Sequence, residues 1–159
     1  MPPSPGRILA LDFGSRRIGL ALSDELGLTA QGLPTLHRTT KQHDFDSLGA
    51  LIAEHRVQRV VVGHPVNMNG SDGPRARQAA LFARTLANRC EIPVALWDER
   101  LTTRQAQRVL RQSGVGREKR TKAVDRIAAV LILQSYMDSL ETGRKAEIQP
   151  VAAEGTSPV

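Results

Sequence analysis

Two aliphatic runs near the start, Ile8–Leu11 and Ile18–Leu22, constrain this chain most. Each is apolar at almost every position, unlike a strand with one wet face, which alternates. They read as neighbouring strands covered on both sides and joined by a tight connection at Gly14–Arg17, where a glycine able to take positive φ suits a hairpin. Asp12 closes the first run. A carboxylate at the end of a buried strand is costly unless it is solvated, paired or bound to a cation. The simpler role for Asp-x-Gly is a turn aspartate bonding its own backbone. The rest of the chain bears on which role applies.

After the hairpin, Thr29–Arg38 reads as a third strand, and Pro34, which cannot donate to a ladder, puts it at an edge. Residues 37–44 are polar and carry a turn. Phe45, Leu48, Ile52 and His55 then recur at helical spacing through Arg56. Val57–Gly63 is a β-branched run and predicts a buried strand. It leads into His64–Gly73, a loop rich in Gly, Asn, Pro and Asp that includes Asn67. Pro74 suits the first turn of a helix with a buried stripe of Ala79, Phe82, Ala83 and Leu86. Ile92–Trp97 is the next strand and runs into Asp98-Glu99-Arg100.

Thr102 and Gln105 have capping-box spacing, which predicts a helix with Ala106, Val109 and Leu110 inward and Arg104, Arg108 and Arg111 on the other side. Gln112–Arg120 is a basic, glycine-containing loop with Lys119 and Arg120. The final helix, Thr121–Leu140, is apolar nearly all round, so more than one side is buried. Residues 1–6 are expected to be a disordered lead, 7–140 one domain, and 141–159 a disordered tail. Strands alternating with helices imply an α/β protein whose parallel half-sheet is fused to an antiparallel hairpin edge. In such sheets sites form outside the carboxyl ends of the parallel strands. Asp12, the His64 loop and Glu99 all fall there.

Charge is distributed unevenly. Of 22 basic and 16 acidic residues, nine basic and two acidic lie in 100–126; the remaining 13 and 14 nearly cancel. A concentrated basic segment on an otherwise neutral domain is the footprint of a polyanion such as nucleic acid. Arg16 and Arg17 in the hairpin, Arg100, Arg104, Arg108, Arg111, Lys119, Arg120 and Lys122 are its candidate phosphate contacts. Five aromatic residues in the whole chain leave little for base stacking, so recognition should run through backbone and shape.

The single Cys90 excludes a disulfide framework and reads as a buried structural thiol. No apolar run reaches membrane-span length, no signal peptide is apparent, and a cytoplasmic location is expected. The histidines at 37, 43, 55 and 64 show no metal-ligand spacing.

A third carboxylate, Asp125, sits in the first turn of the most apolar helix. Complementing the helix dipole would account for it alone, as an ion pair with Arg100 would for Glu99. Together, Asp12, Glu99 and Asp125 end or begin central elements, with no His or Cys among them. Such an oxygen-only set favours a hard cation, Mg²⁺ or Mn²⁺. Divalent ions held this way can activate water and stabilise a leaving oxygen in phosphodiester cleavage. Asp12-Phe13-Gly14 is no kinase motif, since only eleven residues precede it. An actin-like ATPase, which opens on a similar hairpin, pairs two such domains, and this chain has room for one.

The segments LDFGSRRIGLALSD, VVVGHPVNMNGSDGP, WDERLTTRQAQ and KAVDRIAAVLILQSYMD resemble the YqgF (RuvX-like) family, in order and over about Arg7–Asp138. The resemblance implies a ribonuclease H-like fold, a five-stranded mixed sheet with helices on both faces. It also implies a nuclease maturing the 5′ end of pre-16S ribosomal RNA, with structured precursor rRNA and ribosome-assembly intermediates as partners. Holliday-junction resolution is an older reading of the family, and a non-cleaving RNA-binding maturation factor is the alternative from another class. The family's acidic positions match Asp12, Glu99 and Asp125. Two departures stand out. Gly63-His64-Pro65 replaces Gly-aliphatic-Pro, which makes His64 a tolerated loop residue or a phosphate contact. Ala128 stands where RuvC-type resolvases carry a further acid, which weighs against the resolvase.

Overall fold

The two aliphatic runs form β1 (Arg7–Phe13) and β2 (Arg17–Ser23), paired antiparallel from Leu9–Leu22 to Phe13–Ile18. The computed structural model describes residues 6–101, 122–141 and 149–150. Both strands are buried along nearly their whole length, as continuous apolar runs require. β3 (Ala30–His37) pairs antiparallel with β2 and forms the sheet edge, where Pro34 is tolerated. On the other side of β1, β4 (Val57–His64) and then β5 (Val94–Asp98) run parallel to it. A two-residue strand, β6 (Gln149–Pro150), adds antiparallel to β5. The sheet order is therefore β3-β2-β1-β4-β5-β6. The five expected strands are joined by a short sixth, drawn from the stretch read as a disordered tail.

The hairpin turn is held differently from expectation. Gly14 does not adopt a positive φ. Its amide donates to the Arg17 carbonyl at 3.0 Å, and a Cβ on residue 14 would lie 2.6 Å from that oxygen. Close backbone approach, not left-handed geometry, is what requires glycine there.

Helices cover both faces. α1 (Lys41–Glu54) starts earlier than the apolar periodicity indicates, because the Thr40 hydroxyl caps it by accepting from the His43 amide at 3.1 Å. α2 (Pro74–Cys90) carries Pro74 in its first turn and buries Ala79, Phe82, Ala83 and Leu86 as its spacing predicts. These two helices pack with Leu9, Leu11, Leu20, Val60 and Val62 on one face of the sheet. α3 (Lys122–Glu141) packs on the other, against Ile8, Ala10, Ala21, Val61 and Trp97. Each fully buried aliphatic side chain in these layers stabilises the fold by about 1.5–3 kcal/mol. α3 lies closest to the strands at Gly19, Gly32 and Gly63, where an added Cβ would meet Asp125, Arg126 and Ile132. The helix expected from Thr102 and the basic loop after it lie outside the described residues.

Candidate active site

The parallel strands β1, β4 and β5 bring their carboxyl ends to one edge of the molecule, where Asp12, His64 and Asp98 stand. Side chains alternate along a strand, so Asp12 shares a face with Ile8 and Ala10, the α3 face. Asp12 is 4% exposed and pairs in register with Gly19 on β2. The β1–β4 register runs to Leu11–Val62, so Asp12 stands level with Gly63 on its other side.

The flanking glycines are where the other two acids approach. A Cβ on Gly19 would fall onto the backbone carbonyl of Asp125, and within 3.2 Å of the Asp125 Cβ. The first turn of α3 thus rests directly on β2, and Asp125 is buried at 7% exposure. A Cβ on Gly63 would lie 2.7 Å from Ile132 Cδ1 and 3.3 Å from Glu99 Cδ. Glu99 thus passes over β4 as Asp125 passes over β2, with Asp12 on the strand between. Glycine inside an otherwise apolar strand marks close approach of another segment. Glycine at these two strand positions is the sequence signal that points to the site.

Glu99 opens a 3₁₀ turn, Glu99–Leu101, that continues β5. Asp98 shapes this turn: its Oδ1 accepts from the Arg100 amide at 2.9 Å, and its carboxylate takes the Arg100 guanidinium at 2.6–3.1 Å. The ion pair of Arg100, which the sequence offered as one possible role for Glu99, is made with Asp98. Burial pushes the Asp98 carboxyl up, but hydrogen bonds from Arg100 and its charge outweigh this and hold it below the usual carboxylate range. Ser135 on α3 fastens the far end of the turn, accepting from Trp97 Nε1 at 3.1 Å and donating to the Leu101 carbonyl at 3.3 Å.

Arg17 donates from Nε to Asp125 Oδ2 at 2.7 Å, an ion pair that spans 108 positions of sequence. As placed, no three His, Cys, Asp or Glu side chains among the described residues form a group able to hold a metal ion. The carboxylates share one level of one face, but the Asp125 carboxylate is engaged by Arg17.

The hairpin carrying Asp12 is anchored by a residue the sequence reading did not single out. The guanidinium of Arg38 donates to the carbonyls of Gly14 at 3.0 Å and Ser15 at 3.4 Å, and lies 4.6 Å from the Phe13 ring centroid. It also pairs with Asp44, which is fully buried, at 3.1 Å. The Arg38 amide donates to the Arg16 carbonyl at 2.8 Å. Arg16 itself is exposed at the turn.

His64 closes its loop: Nε2 is 3.6 Å from Asp72 Oδ1. Asn67 shapes the same loop through Ser71 and Gly70, its carbonyl accepting from the Gly70 amide at 2.8 Å. Arg100 donates to the Met68 carbonyl at 3.3 Å and so ties this loop to the Glu99 turn. Lys122 is exposed, and its carbonyl accepts from the Thr35 hydroxyl at 2.8 Å. Arg104, Arg108, Arg111, Lys119 and Arg120 lie outside the described residues. Cys90 is half-buried, and burial pushes its thiol up, away from nucleophilic use. Ala128 is buried in α3. No helix among the described residues is long and apolar enough to cross a membrane.

A family model described as "RuvX: Holliday junction resolvase" matches residues 6–139. A Shouchella clausii protein called "Putative pre-16S rRNA nuclease" is 52% identical over 134 residues, covering 83% of this chain and 94% of that protein. A Bacillus subtilis protein with the same name is 46% identical over 136 residues, covering 84% and 99%. Among solved structures, Thermus thermophilus RuvC in complex with a Holliday junction substrate superimposes with a TM-score of 0.54 at 16% identity, over 92% of this chain and 99% of that one. At that identity the likeness concerns the fold, which is the ribonuclease H-like one. A model match from Gly6 to Ser139, and half of all aligned residues shared with a relative, establish that this chain belongs to the RuvX family.

Proposed function

We propose that this protein is a divalent-cation-dependent nuclease that cleaves structured precursor rRNA at the 5′ end of pre-16S rRNA. The observation that carries this reading is the convergence of Asp12, Glu99 and Asp125 on one level of one sheet face, two of them seated over glycines. Asp125 and Glu99 approach the two glycines that flank Asp12 on the neighbouring strands, and acids buried near one another in this way call for positive charge close by. The donor set is oxygen only and fits Mg²⁺ or Mn²⁺. Asp12, Glu99 and Asp125 would hold the ion, which supplies water activation and charge stabilisation at the leaving oxygen. The substrate class comes from the names of the relatives.

The remaining residues position. Arg38 fixes the Asp12 hairpin, and Asp98 with Arg100 fixes the Glu99 turn. Arg16 and Lys122, exposed near the ends of these elements, are suited to contact phosphates. In this reading the basic positions Arg104, Arg108, Arg111, Lys119 and Arg120 extend that contact along the backbone, with a salt-dependent affinity. A cytoplasmic location and ribosome-assembly intermediates as partners follow from the same substrate.

The test is metal-dependent cleavage of a 5′-extended 16S precursor RNA, with a four-way DNA junction as competitor. RNA cleavage lost in Asp12→Asn, with RNA binding retained, supports the reading. Junction-selective cutting would assign the resolvase activity instead. Tight RNA binding without any metal-dependent cutting would make this a maturation factor that does not cleave.

A further inference from the structure

We propose that Arg17 is the site's resident counter-ion: it holds Asp125 while no divalent cation is bound, and must leave that carboxylate when one binds. The inference rests on the metal-site reading above and concerns how that site is loaded. Arg17 opens β2 two residues before Gly19, so both point toward α3. Its Nε lies 2.7 Å from Asp125 Oδ2, with the Asp125 side chain 10% exposed. At that burial an ionised carboxylate needs a cation, and the guanidinium supplies one with a charge-assisted hydrogen bond.

The same carboxylate cannot serve both partners at full strength. An arginine stays protonated at any physiological pH, so a divalent ion arriving at Asp125 meets a fixed positive charge already bonded to Oδ2. Metal binding and the Arg17–Asp125 pair therefore compete, and the apparent affinity for metal falls by the fraction of molecules that are latched. The Arg17 side chain is 24% exposed, so it borders solvent. Once displaced, it would stand at the site's rim as a positive charge available to substrate phosphate.

Two measurements test this. Mn²⁺ binding to the intact protein is followed by electron paramagnetic resonance in wild type, Arg17→Gln and Asp125→Asn. The latch predicts that Arg17→Gln tightens Mn²⁺ about tenfold, a typical size for coupling between two ligands, while Asp125→Asn weakens it. The metal-free Arg17→Gln protein should also melt at lower temperature than wild type, with Arg17→Lys restoring part of the loss. Unchanged or weaker Mn²⁺ affinity in Arg17→Gln would overturn the latch and leave the metal site standing. Wild type that binds no Mn²⁺, or binds it equally well without Asp125, would overturn the metal site and the latch with it. Should Arg17→Gln fail to fold, the wild-type protein decides: the Nε–Hε resonance of Arg17 must move on Mg²⁺ addition, and a resonance unmoved at saturation refutes displacement.

Discussion

Gly19 lies directly beneath Asp125: a methyl group at position 19 would fall onto the Asp125 carbonyl oxygen. The clash is with backbone, which cannot swing aside like the end of a side chain. Gly19→Ala must therefore lift the first turn of α3 from β2. Overpacking of this kind typically costs about 1–3 kcal/mol, and this site should fall at the upper end. Urea denaturation measures the cost, and cleavage should fall further than the stability loss explains, because Asp125 moves with the turn.

Gly63→Ala should separate stability from activity more cleanly. Its new methyl meets Ile132 Cδ1 at 2.7 Å, the free end of a side chain, and Glu99 Cδ at 3.3 Å. The isoleucine can rotate, so the expected loss is about 1 kcal/mol. Glu99 must shift as well. Thermal melts close to wild type, together with a large loss of metal-dependent cleavage, are the expected outcome.

Arg38→Ala removes the partner of a fully buried carboxylate and two hydrogen bonds to the Asp12 hairpin. Breaking a buried pair from one side costs about 3–5 kcal/mol, and the partial exposure of Arg38 favours the lower figure. The double variant Arg38→Ala/Asp44→Ala should be destabilised by less than the sum of the two single changes, as measured in a double-mutant cycle.

Asp98 sets an acid limit on the Glu99 turn. Its carboxyl titrates lower in the folded than in the unfolded chain: burial opposes this, and the Arg100 contacts prevail. The pair's contribution is therefore complete above the unfolded value of about 3.9 and is lost as pH falls through the folded one. Wild type should lose stability relative to Asp98→Asn as pH falls below about 3.9. Melting temperatures across that range, compared between the two proteins, check the sign.

The elements were legible because each follows from a local pattern: continuous apolar runs for β1 and β2, helical spacing in α2, and Pro74 at its start. Asp12 was legible as a polar residue ending a buried strand. The partners were not. Arg17 meets Asp125 across 108 residues, and no periodicity encodes which distant carboxylate an arginine will find. Arg100 lies beside both Asp98 and Glu99 in sequence, and only the path of the 3₁₀ turn chooses Asp98. Arg38 looked like the polar end of an edge strand, and its buried role depends on Asp44 being drawn inside by α1. Gly19 and Gly63 did carry a signal, because glycine weakens a strand unless something must come close.

The most direct measurement is single-turnover cleavage of a 5′-labelled 16S precursor RNA in Mg²⁺ and in Mn²⁺ by wild type, Asp12→Asn, Glu99→Gln and Asp125→Asn, with RNA affinity measured in parallel. The account predicts metal-dependent cutting by wild type, cutting at background in all three variants, and RNA affinity equal to or tighter than wild type, since each variant removes a negative charge facing phosphate. Full-rate cleavage by any one of the three variants would contradict the claim that these carboxylates act as one cation-binding set.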